Sequence, residues 1–389
     1  MIADLYGRAL LVLTLAVAGC TGIQPQAPLF SVMSESVEQG NVPFAIGMVS
    51  ENGKITFAGA VGESSPGYEV DTATIVRLDS LTKPITAAAI MILRDDGILK
   101  LDDPVASYVE GFADVQVRKQ SDGDHLGALV APERPVTIRD LLTHTGGLAG
   151  YSSDVDALWE ASSNLEFAEG IADLALRHEP GTGFQYGNAY EVLPAIVSAA
   201  SKMPFDEFLA TRIFSPLSMT DTFFVVPEDK RHRYSALYSK DDDGSLIVIM
   251  TPGDPETERF PSGGGGLKST VSDYHRFALM LMNGGELDGV RVLSQDAVHR
   301  MTSPQVDRAV LGAWQEDYDW GLGLAIRTRL NDTGDPASLN SFGWNGGLGT
   351  LFFVDPDQGL IGVVFTQMHW SNEYDLRDRF KNQAYKTLN

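Results

Sequence analysis

Ser80 and Lys83 stand three residues apart in the run Ser80-Leu81-Thr82-Lys83-Pro84, which opens an apolar stretch. On a helix that spacing puts both side chains on one face, with Cβ atoms about 5–6 Å apart, so a lysine amine can reach a serine hydroxyl. Pro84 is tolerated only in a first helical turn. Ser80 therefore belongs at the helix N-terminus, where outward-pointing N–H groups favour negative charge. Serine beside an amine is the pattern of a nucleophile and its base. For lysine to serve as base near neutrality its pKa must fall from ~10.4 by roughly 3 units, about 4 kcal/mol. A helix terminus supplies ~0.3–1 kcal/mol, rarely ~2. Burial and a second polar partner must provide the rest. Without that partner, the same residues read as a capping serine and a surface lysine.

Tyr186-Gly187-Asn188 precedes a helical pattern about a hundred residues later. A tyrosine hydroxyl beside an ammonium can lose or relay a proton, and an asparagine amide can hold a carbonyl. Trp344-Asn345-Gly346-Gly347 leads into the last hairpin, where glycines let a backbone edge approach a ligand closely. Two other runs invite a site and do not make one. Asp241-Asp242-Asp243-Gly244 lacks the alternate-position carboxylates of a calcium loop and reads as a solvated turn. The four glycines 263–266, followed by Lys268-Ser269, carry Ser262 and Leu267 where a phosphate loop needs glycine. No His/Cys/carboxylate cluster has metal-ligand spacing, and no organic cofactor is called for.

These residues need a frame. Residues 44–49 and 55–61 are short apolar runs around Asn52-Gly53, a strong hairpin signal. A helix is predicted from Leu81 to Asp96, with Ile85, Ala89 and Ile92 on one face and Gly97 ending it. The stretch 100–310 reads as mostly helical, with segments over 155–161, 167–176, 190–201 and 271–282. Residues 349–354 and 360–366 form a second hairpin around 355–359. Strands at both ends around a helical middle predict an α/β (α+β) fold. Its antiparallel sheet is built from both termini, over 31–100 and 311–389, with a mainly helical region inserted over 101–310. No internal repeat is present.

The 389 residues are 43% hydrophobic and 21% charged, the balance of a globular chain with a sizeable core. With 29 Lys and Arg against 52 Asp and Glu, the net charge of -23 excludes nucleic acid as a partner. Cys20 is the single cysteine, so no internal disulfide can form. It follows an apolar run over residues 9–18, too short to span a bilayer of ~30 Å but suited to an export signal. Val17-Ala18-Gly19-Cys20 resembles a bacterial lipobox, so residues 1–20 read as a signal peptide and 21–30 as a tether. An exported protein, periplasmic or anchored to the membrane by a lipid on Cys20, is the expectation. Oligomeric state leaves no mark in the sequence.

Taken together, Ser80-x-x-Lys83, Tyr186-x-Asn188 and Trp344-x-Gly346 resemble the motif set of the serine β-lactamase and penicillin-binding-protein family, class C type. Leu141-Leu142-Thr143-His144-Thr145-Gly146-Gly147-Leu148, Gly263 to Leu267 with Ser269, Thr270 and Asp273, and Gly97 to Pro104 match further signatures of that branch. The resemblance implies that Ser80 is acylated, with Lys83 and Tyr186 acting together as general base and then acid. It implies an oxyanion hole from the backbone N–H groups of Ser80 and Gly347, worth ~2.7–4 kcal/mol. Asn188, Trp344, Gly346 and Gly347 would line the substrate site. His144 would belong to a structural helix-start loop and not to a Ser-His-Asp triad. The chain has no Gly-x-Ser-x-Gly elbow.

The third motif departs from the lactamase pattern. Lys-Thr/Ser-Gly is usual there, and its ammonium helps fix a substrate carboxylate. Here the position is Trp344, and residues 340–351 contain no Lys or Arg. An indole at the cleft offers apolar and stacking contact to a neutral ester. The pattern resembles class VIII carboxylesterases, so the expected substrate is a short-chain carboxylic ester, with weak β-lactam hydrolysis as a side activity. A β-lactamase, DD-peptidase or D-aminopeptidase is the alternative. A non-catalytic penicillin-recognising envelope protein is the alternative of another class.

Overall fold

A computed structural model describes residues 27–119, 127–254, 259–312, 314–331, 333–369 and 373–388. The export segment and Cys20 lie outside the described residues. Helix α1 (Ala27–Glu38) begins within the stretch expected to be tether. It leads into β1 (Phe44–Glu51) and β2 (Lys54–Ser65). Asn52 and Gly53 between them take φ of 50° and 76°, the left-handed pair that a two-residue hairpin loop requires. Strand β3 (Tyr68–Glu69) closes one edge.

The other strands come from the far end of the chain. They are β4 (Tyr318–Trp320), β5 (Ala325–Arg327), β6 (Phe342–Gly346), β7 (Thr350–Asp355) and β8 (Leu360–Phe365). The sheet runs β4-β5-β6-β7-β8-β1-β2-β3 with antiparallel neighbours throughout. Both termini therefore build one antiparallel sheet, as expected.

Alternation along β1 sorts its two faces. Ala45 and Val49 join Leu29, Met33 and Phe380 in a core under α1 and α5 (Glu373–Lys386). Phe44, Ile46 and Met48 face the large core shared with the inserted helices. With both faces covered, β1 and β8 are buried almost end to end, which is why they read as apolar runs and not as alternating ones. Gly47 lets α5 close in, since an added Cβ would stand 2.5 Å from the Phe380 ring.

The inserted region is mainly helical. It includes α3 (Ala189–Ser201) and α4 (Val271–Met282). It also carries a hairpin, Leu237–Lys240 with Leu246–Met250, which the helical reading passed over. Asp241 to Gly244 form its turn, with Asp241 Oδ1 accepting the N–H groups of Asp243 and Ser245.

Candidate active site

Ser80 sits in one 3-10 turn, Asp79–Leu81, that runs straight into α2 (Thr82–Asp95). Pro84 thus occupies the third helical position, where no N–H is needed. At the far end Gly97 takes φ 72°, and Ile98 N–H returns to Leu93 O at 3.0 Å to close the helix. The turn that carries Ser80 is held from several sides. Leu78 N–H donates to Leu267 O at 2.8 Å, the Thr350 hydroxyl to Leu78 O at 2.9 Å, and the Tyr274 hydroxyl to Leu81 O at 2.8 Å. Gly346 admits the turn, because a Cβ there would stand 2.5 Å from Leu78 O. Its glycine serves the approach of this turn, where the sequence reading had assigned it to a ligand.

Lys83 is 2% exposed. Its ammonium donates to Ser80 Oγ at 3.0 Å and to Gly264 O at 2.8 Å, and stands 4.8 Å from the centre of the Tyr186 ring. Burial alone pulls its pKa down, but Tyr186, Tyr151 and Asp79 together outweigh burial and hold it above the ordinary lysine value. The expected lowering is therefore reversed. Solvent exclusion is as expected; the surrounding Tyr186, Tyr151 and Asp79 turn the direction. As an ammonium, Lys83 donates to Ser80 Oγ with the Tyr186 ring at its side.

Two loops lying side by side place Tyr186. Gln185 N–H donates to His144 O at 2.8 Å, and the Asn188 amide donates to Ala149 O at 3.3 Å and Gly150 O at 3.1 Å. Asn188 is 3% exposed and spends its N–H groups tying the loops together, a different use from the acyl contact expected of it. Trp344 donates its indole N–H to Tyr186 Oη at 3.2 Å. The indole is 8% exposed and lies edge-on to Trp320 at 4.7 Å, so it is a fixed wall and not an open stacking platform.

His144 is buried beneath Tyr186, 4.6 Å between ring centres, with Tyr190 and Trp320 also around it. Neither ring nitrogen has a hydrogen-bond partner among the described residues. Burial, then the charge of Lys83, keeps its pKa well below the usual histidine value. It is a neutral part of the aromatic floor. Its loop follows the short helix Ile138–Leu142 and does not start one; the capping box lies at Thr137 and Asp140.

Three further contributors take their roles only from the fold. The four-glycine run lies across the lysine: Gly264 offers its carbonyl to Lys83 and its N–H to Glu191 Oε1 at 3.1 Å. Glu191, 5% exposed on α3, also takes the Ser262 hydroxyl at 2.9 Å. Asp79, next to the nucleophile, takes φ 49° and accepts the Gly347 N–H on Oδ2. The repeated glycines and a carboxylate adjoining Ser80 were visible signals, but only proximity in the fold gives them meaning. An added Cβ at 264 would collide with Glu191 Oε1 and lie 3.6 Å from Lys83 Nζ. Gly264→Ala is therefore expected to lower kcat/KM by ~10²-fold, the scale of a misplaced reacting group. Steady-state rates measured beside circular dichroism would check it, and wild-type rates in a folded variant would refute it.

Next to Ser80 in the chain, Asp79 lines a cavity of about 340 Å³ whose walls also include Tyr151, Trp159, Glu191, Gly264 and Leu348. A buried ammonium on a serine oxygen, a phenol beside it and backbone N–H groups at the turn form an arrangement able to support acyl transfer.

Fold and site together define a serine hydrolase of the β-lactamase and penicillin-binding-protein superfamily. The chain matches the Beta-lactamase family over residues 29–385 and belongs to it. It is 34% identical to Protein Rv1367c of Mycobacterium tuberculosis over 352 residues, covering 86% of this chain and 88% of that one. It is 29% identical to Esterase EstB of Burkholderia gladioli over 374 residues, covering 87% and 90%. Among solved structures, EstCE1, a hydrolase with promiscuous acyltransferase activity, matches with a TM-score of 0.80 at 20% identity, covering 92% and 98%. That likeness speaks for the fold alone.

Proposed function

We propose that this chain hydrolyses short-chain carboxylic esters through an acyl-enzyme on Ser80. The observation that carries the reading is Trp344. Its indole occupies the strand position where a lactam-directed site places an ammonium, and its N–H is spent on Tyr186 Oη. No cation on that strand is left to fix a substrate carboxylate. The similarity to Esterase EstB supports the same class.

In this mechanism Lys83, as an ammonium, holds the serine oxygen, and Tyr186, reacting as the phenolate paired with it, takes the serine proton as Oγ attacks the ester carbonyl. The proton then passes to the leaving alkoxide, and water repeats the sequence in reverse to free the acid. The backbone N–H groups of Ser80 and Gly347 stabilise the oxyanion.

The test is kcat/KM for p-nitrophenyl butyrate beside that for nitrocefin, with Ser80→Ala as control. A large preference for the ester, lost in the variant by ~10³-fold or more, is expected. Preference for nitrocefin would replace this reading with a β-lactamase or peptidase. That second reading is supported by Arg77 and Lys268, which reach the cavity wall from outside the third motif. Export with a lipid on Cys20 remains part of the proposal, and an intact Met1 in membrane-extracted protein would overturn it.

A further inference from the structure

Asp79 moves no proton in that mechanism and only adds to the field around Lys83, yet its carboxylate lies where the reaction needs an empty space. Its Oδ2 accepts the Gly347 N–H, the donor assigned to the oxyanion. Glycine at 347 is what admits it, since a Cβ there would stand 2.9 Å from Oδ2. The other oxygen, Oδ1, is 3.3 Å from where a Gly265 Cβ would be, on the cavity wall. The backbone holds the residue there at φ 49°, a region that Asp, Asn and Gly enter far more readily than other residues.

An acyl carbonyl can use the Gly347 N–H only after the carboxylate has swung aside. A hydroxyl or ammonium close to that carbonyl gives the carboxylate a better partner and draws it away. A carboxylate on the acyl chain repels it and gains nothing. The cations on the same wall keep their charge and offset part of this repulsion, but both are anchored to other partners. Arg77 donates to Ser235 O and Met250 Sδ with its plane over Tyr234, and Lys268 donates to Phe224 O. Glu191 adds a second carboxylate to the lining.

We propose that Asp79 sets the acyl preference of this site, favouring esters whose acyl chain carries a hydroxyl or ammonium near the scissile carbonyl and excluding those that carry a carboxylate. The proposal rests on the esterase reading. Asp79 acts as a specificity residue: it is displaced by substrate and takes no proton from Ser80.

The experiment uses four methyl esters of matched acyl length, followed by proton release: butyrate, 3-hydroxybutyrate, 3-aminobutyrate and monomethyl succinate. In the wild type the amino and hydroxy esters should lead, the plain ester should follow, and the succinate should trail the amino ester by about tenfold or more, as unit charges a few ångströms apart in a partly buried site require. Asp79→Asn and Asp79→Gly both suit the left-handed backbone, so both should fold, which thermal melting verifies. Each should collapse the series. Asp79→Gly should also raise kcat/KM for methyl butyrate, because it alone clears the Gly347 N–H. A flat wild-type series, or one unchanged in both variants, overturns the proposal while leaving the esterase reading standing. No turnover of any ester above Ser80→Ala sinks both.

Discussion

Lys83→Ala and Tyr186→Phe are each expected to cut kcat/KM for a butyrate ester by roughly 10³-fold or more, close to the level of Ser80→Ala. The reason is that neither group can do the other's work. Lys83 holds Ser80 Oγ at 3.0 Å as a donor, and its own cationic state is sustained by Tyr186, Tyr151 and Asp79. Without the ammonium, Ser80 Oγ loses the donor that holds it and Tyr186 loses its cationic neighbour. Without the phenol, the ammonium still donates to Ser80 but no acceptor for the serine proton stands beside it. Residues that act as one unit show losses that do not add, so the double variant should be little worse than either single one. Lys83→Arg separates charge from geometry. It keeps the cation, but a planar guanidinium cannot reproduce one ammonium shared between Ser80 Oγ and Gly264 O. A loss of ~10² or more is expected there as well, on the scale of a displaced catalytic group. Lys83→Met fills the buried space without charge, and its melting temperature tells whether a lost rate reflects lost folding. Near-wild-type turnover in Lys83→Ala or Tyr186→Phe would refute the assignment.

What the sequence disclosed, and what it withheld, follows from how far each feature reaches along the chain. The Asn52-Gly53 hairpin and the end of α2 at Gly97 are local, written in residues whose backbone freedom the turn demands. The pairing of Ser80 with Lys83 is one helical turn long and was legible for the same reason. Strands β4 and β5 have three residues each, too short for any periodicity to show. The direction of the Lys83 shift is not legible in the sequence, because two of the groups that raise it, Tyr186 and Tyr151, meet the lysine only through the fold, while the third, Asp79, is local. Asn188 and Trp344 were read as facing substrate. Their burial depends on loop 149–150 and on Trp320, partners that only the assembled core reveals. Motif identity thus fixed which residues meet, while their protonation and orientation were settled by neighbours distant in sequence.

Stability is expected to fall steeply as pH drops from about 6.5 toward 4, before the carboxylates matter. Two buried histidines cause it. His275 on α4 is 4% exposed, with Nε2 2.7 Å from Ser50 Oγ on β1. Burial, and to a smaller degree Arg276, lowers its pKa to about 4. His144 is likewise held well below the ordinary histidine value by burial and by Lys83. The unfolded chain takes up both protons near pH 6.5 and the native chain does not, so stability present above that pH is lost on acidification. For His275 alone the loss amounts to about 3 kcal/mol by pH 4, at up to ~1.4 kcal/mol per pH unit. Carboxylates act later: Asp221, held down to about 2 chiefly by Arg233, with Lys230 assisting, keeps its contribution until pH falls below the ordinary carboxylate range. Thermal melts from pH 7 to 4.5 measure the slope, and His275→Gln, which retains a hydrogen-bonding side chain without titrating, should flatten it by up to one proton's worth. A melting temperature unchanged across that window would contradict the account. Turnover should fail together with the fold and not ahead of it, because the native chain keeps His144 neutral beneath Tyr186 throughout that window.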